Sequence, residues 1–455
     1  MIGAASVVGT GLPMGPDKEG MDMAELYGEV RKMRVLEAAW RRVRSRGLLS
    51  ASKEIRAEVA EFDEHPIGRL RRIQDRLKAK TFRFAPQKGI AKARPGKSSR
   101  PIVIAPVENR IVQRAILDTL AAKCGAVRDV LNIPTSVGGI DGVDVAIAIV
   151  TKAIADGAAW CVRSDIPQFF TKIPKTTITA FIEKATEDDD FTALFQNAVE
   201  VELANADALG EEFRLFPTAD IGVAQGSALS PLIGNILLRD FDRQLNGRGV
   251  TCIRYIDDFV ILAPKRAAAL AAFQSAREIL SDLGLDAYDP VDRPDKASMG
   301  CCADGFDFLG CRIQPGLIQP SDAAKTAILA RVRTVLADGR HAVSLVRTDK
   351  GLVGQRFAQT LTLLDRVVKG WGDAFSFSTG RQMFAALDER IDTEIDAFVR
   401  DVRRYLKSAE PTVRRRIIGV HALVDTPLRQ LISPDDPASK LTDQSVASRF
   451  SRRGH

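Results

Sequence analysis

Two adjacent carboxylates, Asp257 and Asp258, interrupt the apolar stretch RYIDDFVILA at 254–263. A third, Asp165, closes a second apolar stretch, AAWCVRSD, at 158–165. Aspartates do occur in hairpin turns, but the favoured two-residue loops are Asn-Gly and Asp-Gly, because such turns need φ > 0. Two ionised carboxylates about 5 Å apart repel by roughly 3 kcal/mol at an effective dielectric of about 20. A divalent cation is the usual compensation. If the two apolar stretches are strands of one sheet, the three carboxylates converge on one edge. Two Mg2+ ions about 3.5–4 Å apart would then form a clamp for in-line phosphoryl transfer. One would lower the pKa of an attacking 3′-hydroxyl, and the other would stabilise a leaving pyrophosphate. On this stretch alone a plain turn stays open.

The elements that must hold these groups can be read from the pattern. AAWCVRSD reads as a buried strand, and RYIDDFVILA as a strand–Asp-Asp–strand hairpin. GFDFLGCRI, 305–313, reads as a further hairpin. SPLIGNILLRDFDRQL reads as a helix with Ser230 as N-cap and Pro231 in the first turn. VDVAIAIVTKAIADG reads as a helix ending near Gly157. PQKGIAKARPGKSSRPIVIAP reads as a Gly/Pro/Lys loop running into a short strand, Ile102–Ala105. Residues 25–60 and 66–80 read as basic helices, and 320–410 as all-helical with arginine-rich faces. The fold class is therefore α/β in the middle, flanked by basic helical segments.

The 455 residues are 45% hydrophobic and 27% charged, a soluble globular composition with room for several domains. No run of 18 apolar residues occurs, so no spanning helix and no membrane partner are expected. The N-terminus lacks a basic region before its weakly apolar part, and a cytoplasmic chain with a flexible tail over 1–24 is expected. The six cysteines lie in or beside apolar segments without a Cys-x-x-Cys pair, which favours reduced core thiols over structural zinc. The net charge is +7, yet Arg69–Arg100 alone holds twelve Lys or Arg against one acid. Such a block is the footprint of a phosphate-backbone partner. A second cluster includes Arg400, Arg403, Arg404, Lys407, Arg414, Arg415 and Arg416.

Taken in order over roughly residues 35–400, several stretches resemble the signature blocks of reverse transcriptases of the group II intron and retron superfamily. RPIVIAPVENRIVQRAI and SVGGIDGVDVAI resemble the fingers blocks. SDIPQFFTKI and YIDD resemble the two catalytic palm motifs. AQGSALSPLIGNILL resembles the template and nucleotide motif, FLG the primer grip, and VVKGWGDAFSF the thumb element. The resemblance implies a right-hand polymerase with an α+β palm. Its expected divisions are an N-terminal extension and fingers over 25–158, palm 159–315, helical thumb 316–410 and basic extension 411–455.

It also implies roles. Asp165 and Asp257 would bind both Mg2+ ions (Mn2+ being admissible), with Asp258 as a weaker ligand and the Ile166 carbonyl as a further one. Phe170 stands where the family places a steric gate against the ribose 2′-OH. Gln225 and Gly226 would meet the nascent base pair. Arg100 matches the arginine that grips the incoming triphosphate, with Lys97, Lys92 or Lys88 as its companion, Lys97 preferred. Tyr255 and the Phe308-Leu309-Gly310 grip would hold the primer end. Lys296 is a candidate proton donor to pyrophosphate, beside the reading as an ordinary surface lysine. Ala224 departs from a common proline.

The expected activity is RNA-directed DNA synthesis, with an RNA template, a DNA or RNA primer and deoxynucleoside triphosphates as partners. A dedicated noncoding RNA partner is also admitted. The C-terminal nuclease of intron-encoded relatives and the retron-type markers have no counterpart in the sequence. What remains is similar to stand-alone unknown-group and phage-defence types, so an antiphage role is expected. Two other readings stay open: an intron maturase that chiefly binds RNA, and an untemplated or protein-primed DNA polymerase.

Overall fold

The chain divides into two compact units, Met1–Gly316 and Leu317–His455. The computed structural model describes residues 25–426 apart from 51, 95–96, 139–141, 248, 348–355 and 422. The expected tail over 1–24 and most of the expected C-terminal extension lie outside the described residues.

The first unit is built on three pieces of antiparallel sheet. β1 (Lys88–Arg94) and β2 (Lys97–Ile104) form a hairpin. β3 (Trp160–Asp165), β4 (Thr251–Tyr255), β5 (Asp258–Ala263) and β6 (Ser298–Cys301) form a four-stranded sheet in the order β4-β5-β3-β6. β7 (Phe306–Phe308) and β8 (Cys311–Gln314) make a second hairpin. Phe259, Val260, Ile261, Leu262 and Ala263 are all at most 1% exposed, so β5 is covered on both faces. A strand covered in this way needs a continuous apolar run instead of alternation, which is the pattern seen in FVILA. Phe259 packs edge-on to Phe241 of helix Ser230–Gln244, with ring centroids 5.4 Å apart. It also stacks on Phe273 of helix Arg266–Asp282 at 6.5 Å. Two helices thus pack on the Phe259 face of the strand that leads out of the Asp-Asp pair.

Two local expectations are corrected. The Gly/Pro/Lys stretch is not a loop: its first half is β1, paired in register with β2 from Lys88↔Ile104 to Lys92↔Arg100. The buried face of β1 is made of Gly89 and Ala91 against exposed Lys88, Ile90 and Lys92. Its alternation therefore carries no apolar signal. Ser230 is not an N-cap. It is the first helical residue, and its hydroxyl donates to the Ala224 carbonyl at 2.6 Å, tying the helix to the preceding loop.

The second unit is helical after a short strand, Leu317–Pro320. Helices Asp322–Arg347, Phe357–Ala374, Arg381–Ser408 and Pro411–Ile418 enclose a core around Val332, Val343, Phe398 and Ile417, all fully buried. Arg400, Arg403, Arg404, Lys407, Arg414 and Arg415 stay exposed. No helix among the described residues is long and apolar enough to cross a membrane.

Because Phe241 is fully buried between the helix and β5, Phe241→Ala is expected to cost about 3–5 kcal/mol. Urea denaturation followed by circular dichroism measures it.

Candidate active site

The sheet brings the carboxylates together at one end. Asp165, the last residue of β3, is the register partner of Asp258, the first of β5. Tyr255, the last residue of β4, pairs with Asp258 from the other side. The hairpin tip is therefore Ile256-Asp257, one residue earlier than the Asp-Asp loop expected from the sequence. The Ile166 N–H donates to the Asp257 carbonyl at 3.0 Å, which fixes the tip against the end of β3.

Burial pushes the carboxyl groups of Asp165 and Asp257 above the usual range, and the charge of Asp165 adds to the effect on Asp257. Asp258 is pushed up to about 6, first by burial and then by Asp165 and Asp257. Lys296 offsets part of this, with its Nζ 3.6 Å from an Asp165 carboxylate oxygen.

A cleft of about 500 Å³ opens above this end of the sheet. Asp165, Ile166 and Asp257 line its floor, and Arg100, Phe170, Gln225 and Lys296 its walls. Phe170 is half-buried there, whereas Phe169 is 2% exposed and belongs to the core. The Gln225 carbonyl accepts from the Val103 N–H at 3.1 Å, so this loop is laced to β2. Gly226 follows with φ +121°, and a Cβ there would lie 2.9 Å from the Val103 carbonyl oxygen. Both facts demand glycine.

Other expected residues lie outside this cleft. Asp258 is not among its lining residues. Gly226 and Tyr255 line an adjoining groove of about 740 Å³ with Arg42, Arg46 and Arg110. Phe308 is 1% exposed and packs in the core, which leaves Leu309 and Gly310 as the accessible part of that hairpin. Both turn residues have positive φ, 48° and 78°, the pattern of a type I′ turn. Lys88 is engaged by Glu54 at 2.8 Å, and Lys92 is exposed opposite Arg100. The side chain of Lys97 lies outside the described residues.

Sequence reasoning missed Arg214, Tyr288 and Arg293, which also line the cleft. The Arg293 guanidinium sits 4.9 Å from the Tyr288 ring centroid, and the Tyr288 N–H donates to the Asp165 carbonyl at 3.3 Å. Arg214 comes from a short 3-10 helix, Gly210–Leu215, and Tyr288 and Arg293 from irregular segments, where no periodicity marks a residue as inward-facing.

A divalent cation fits this chemistry. Among the described residues no group of three His, Cys, Asp or Glu forms a closed ligand cage. Mg2+, however, is commonly held by one or two carboxylates and completed by substrate phosphates and water. The half-buried, mutually repelling carboxylates supply hard oxygen donors of that kind.

The repulsion has a measurable sign. A carboxyl group whose folded pKa is raised takes up a proton on folding, so its cost is full above the folded value and fades as pH falls through it. In metal-free protein, Asp258→Asn is expected to stabilise the fold by on the order of 1–3 kcal/mol at about pH 8. The gain should shrink at about pH 5. Thermal melts in a chelator at both pH values measure it.

Residues 90–313 match the family model for reverse transcriptase (RNA-dependent DNA polymerase). Protein YkfC of Escherichia coli K12 is 23% identical over 278 residues, covering 53% of this chain and 70% of that protein. An uncharacterized 91 kDa protein in the cob intron of Schizosaccharomyces pombe is 26% identical over 184 residues, covering 40% of this chain and 21% of that one. Among solved structures, a partial Cas6-RT-Cas1–Cas2 complex overlaps at TM-score 0.32 and 19% identity, covering 57% of this chain and 42% of that one. Telomerase from Candida albicans with a fragment of telomeric RNA overlaps at 0.35 and 11%, covering 76% and 68%. Overlaps this weak carry no argument, and the assignment rests on the sequence family. The family match covers just under half of the chain and identifies residues 90–313 as a reverse transcriptase domain.

Proposed function

We propose that the whole chain is an RNA-directed DNA polymerase that adds deoxynucleotides to a primer 3′ end in the cleft above β3 and β5. One observation carries the reading: two half-buried carboxylates, Asp165 and Asp257, face a single cleft also lined by Arg100, Arg214, Arg293 and Lys296. Anionic oxygens on one side and four cations around them match a bound metal–triphosphate.

In this reading Asp165 and Asp257 hold the divalent cations, with Mg2+ the expected species, Mn2+ an alternative, and Asp258 in a supporting place. Bound cations would supply Lewis acidity toward the attacking hydroxyl and the leaving pyrophosphate. Arg100 orients the triphosphate through its planar fork. Lys296, already beside Asp165, is placed to give a proton to pyrophosphate as it leaves. Phe170 closes the sugar side of the cleft, and Gln225-Gly226 lie under the base pair. Tyr255, Leu309 and Gly310 serve the primer strand. The helical second unit serves as thumb, and its exposed arginines, with the basic block before Arg100, hold the nucleic-acid backbone. A role in antiphage defence is proposed from the resemblance to phage-defence types alone. Equal plaque counts with and without the expressed gene would remove it.

Asp257→Asn is expected to lower primer extension on an RNA template by on the order of 10³ or more while leaving RNA binding within about threefold. Gel-based extension and filter binding measure the two. A maturase role would survive this substitution. Phe170→Ala is expected to raise ribonucleotide incorporation, relative to deoxynucleotide, by about tenfold or more. If the native protein already uses both sugars equally, the gate assignment fails.

A further inference from the structure

The Ile256-Asp257 tip is a strained turn. Ile256 has φ +63°, whereas Asp257 is not among the positive-φ residues. Positive φ at the first central position alone is the pattern of a type II′ turn, where glycine is the usual occupant. A β-branched residue there is a genuine outlier, and such outliers persist only where the surroundings over-determine them. Beneath the tip lies Arg254, 0% exposed and the largest fully buried side chain among the described residues. Its Nε and Nη2 hold both oxygens of buried Asp242, at 2.8 and 2.6 Å. Nη2 also donates to Ser136 Oγ at 2.6 Å and Asn235 Oδ1 at 3.0 Å. The remaining nitrogen, Nη1, donates to the carbonyl of Ile256 at 2.8 Å.

The acceptors come from three places: helix Ser230–Gln244, the segment around Ser136 and the turn itself. That segment runs beside β4, with Arg254 N–H to the Thr135 carbonyl at 2.8 Å and Val137 N–H to the Arg254 carbonyl at 3.0 Å. Gly138 lies on the same segment, and an added Cβ there would sit 2.2 Å from the Ile256 nitrogen. Asn235 Nδ2 holds the Gly138 carbonyl at 3.2 Å. The tip is thus gripped through its Ile256 carbonyl from below, crowded by Gly138 on one side, and bonded to Ile166 on the other.

We propose that Arg254 is a positioning residue: its guanidinium, anchored by Asp242, Ser136 and Asn235, holds the Ile256 carbonyl and thereby fixes where Asp257 presents its carboxylate. The proposal rests on the polymerase reading for its kinetic consequence but not for its geometric one. Lysine keeps the charge but is a single point donor, so it cannot span the Asp242 carboxylate and the Ile256 carbonyl together.

The test compares native protein, Arg254→Lys, Ser136→Ala and Asp257→Asn. Four quantities are read: kcat, the nucleotide KM, Mn2+ affinity by electron paramagnetic resonance, and the thermal midpoint. For folded Arg254→Lys, kcat should fall about 100-fold, as expected for a misplacement of order 1 Å, with KM within about threefold of native. Mn2+ affinity should weaken about 10-fold or more, the usual effect of losing an orienting partner of a ligand. Ser136→Ala should move kcat and Mn2+ affinity the same way by a smaller factor, and it decides the matter if Arg254→Lys does not fold. Native kcat and native Mn2+ affinity in folded Arg254→Lys, or in Ser136→Ala where that variant decides, would overturn the proposal. So would a lower midpoint with native Mn2+ affinity in the folded fraction, which marks a purely structural ion pair. If native protein makes no DNA, the polymerase reading fails, while Mn2+ affinity still decides the role of Arg254.

Discussion

The structure of the first unit is organised around an unfavourable interaction. Three carboxylates stand at one end of a four-stranded sheet, two of them flooring a cleft, and each is pushed up by burial. Chains do not keep such a group without compensation, because an isolated buried charge neutralises or unfolds its surroundings. The visible compensation is partial: one lysine contact, more distant arginines and the backbone of the tip. In the proposed reading a bound cation would supply the rest. A site of this kind is less stable empty than full, and stability given up for binding is typical where catalysis is done.

Rigidity is the second requirement. Mutually repelling groups move apart unless held, and the sheet holds them by pairing Asp165 with Asp258 in register while helix Ser230–Gln244 and helix Arg266–Asp282 cover the central strand. The helix Ser230–Gln244 serves twice. Its apolar face packs on β5, and its polar residues Asn235 and Asp242 reach Arg254 under the turn. The loop before it, laced to β2 through Gln225 and to the helix through Ser230 and Ala224, sets one wall of the cleft. Core and site therefore share residues, and a change in either is felt in the other.

The cationic side is assembled differently. Arg100 stands on a strand and Arg214 on a short 3-10 helix, Gly210–Leu215, but Arg293 and Lys296 stand on irregular segments. In the proposed reading, carboxylates that would keep a metal geometry sit on a sheet, where placement is rigid. Cations that would meet a flexible triphosphate sit mostly off the sheet, where tolerance costs little.

Sequence alone determined the parts whose signal is local. The apolar runs around Asp165 and Asp257 named the strands, the 3.6-residue period named helix Ser230–Gln244 and the helical second unit, and the ordered motifs named the family. It did not show β1, because a strand whose buried face is Gly89 and Ala91 has no hydrophobic alternation to read. It placed the hairpin tip on Asp257-Asp258, because turn propensity is a property of residue types and Ile256 is a poor turn residue. Only the tertiary structure put Ile256 there, with Gly138 and Arg254 closing on it from segments more than 100 residues apart. Arg254 is visible in the sequence as a charge near the end of β4, but its partners Ser136, Asn235 and Asp242 are adjacent only after folding. Contacts between residues distant in the chain leave no periodicity, so they are decided where the chain packs and nowhere earlier.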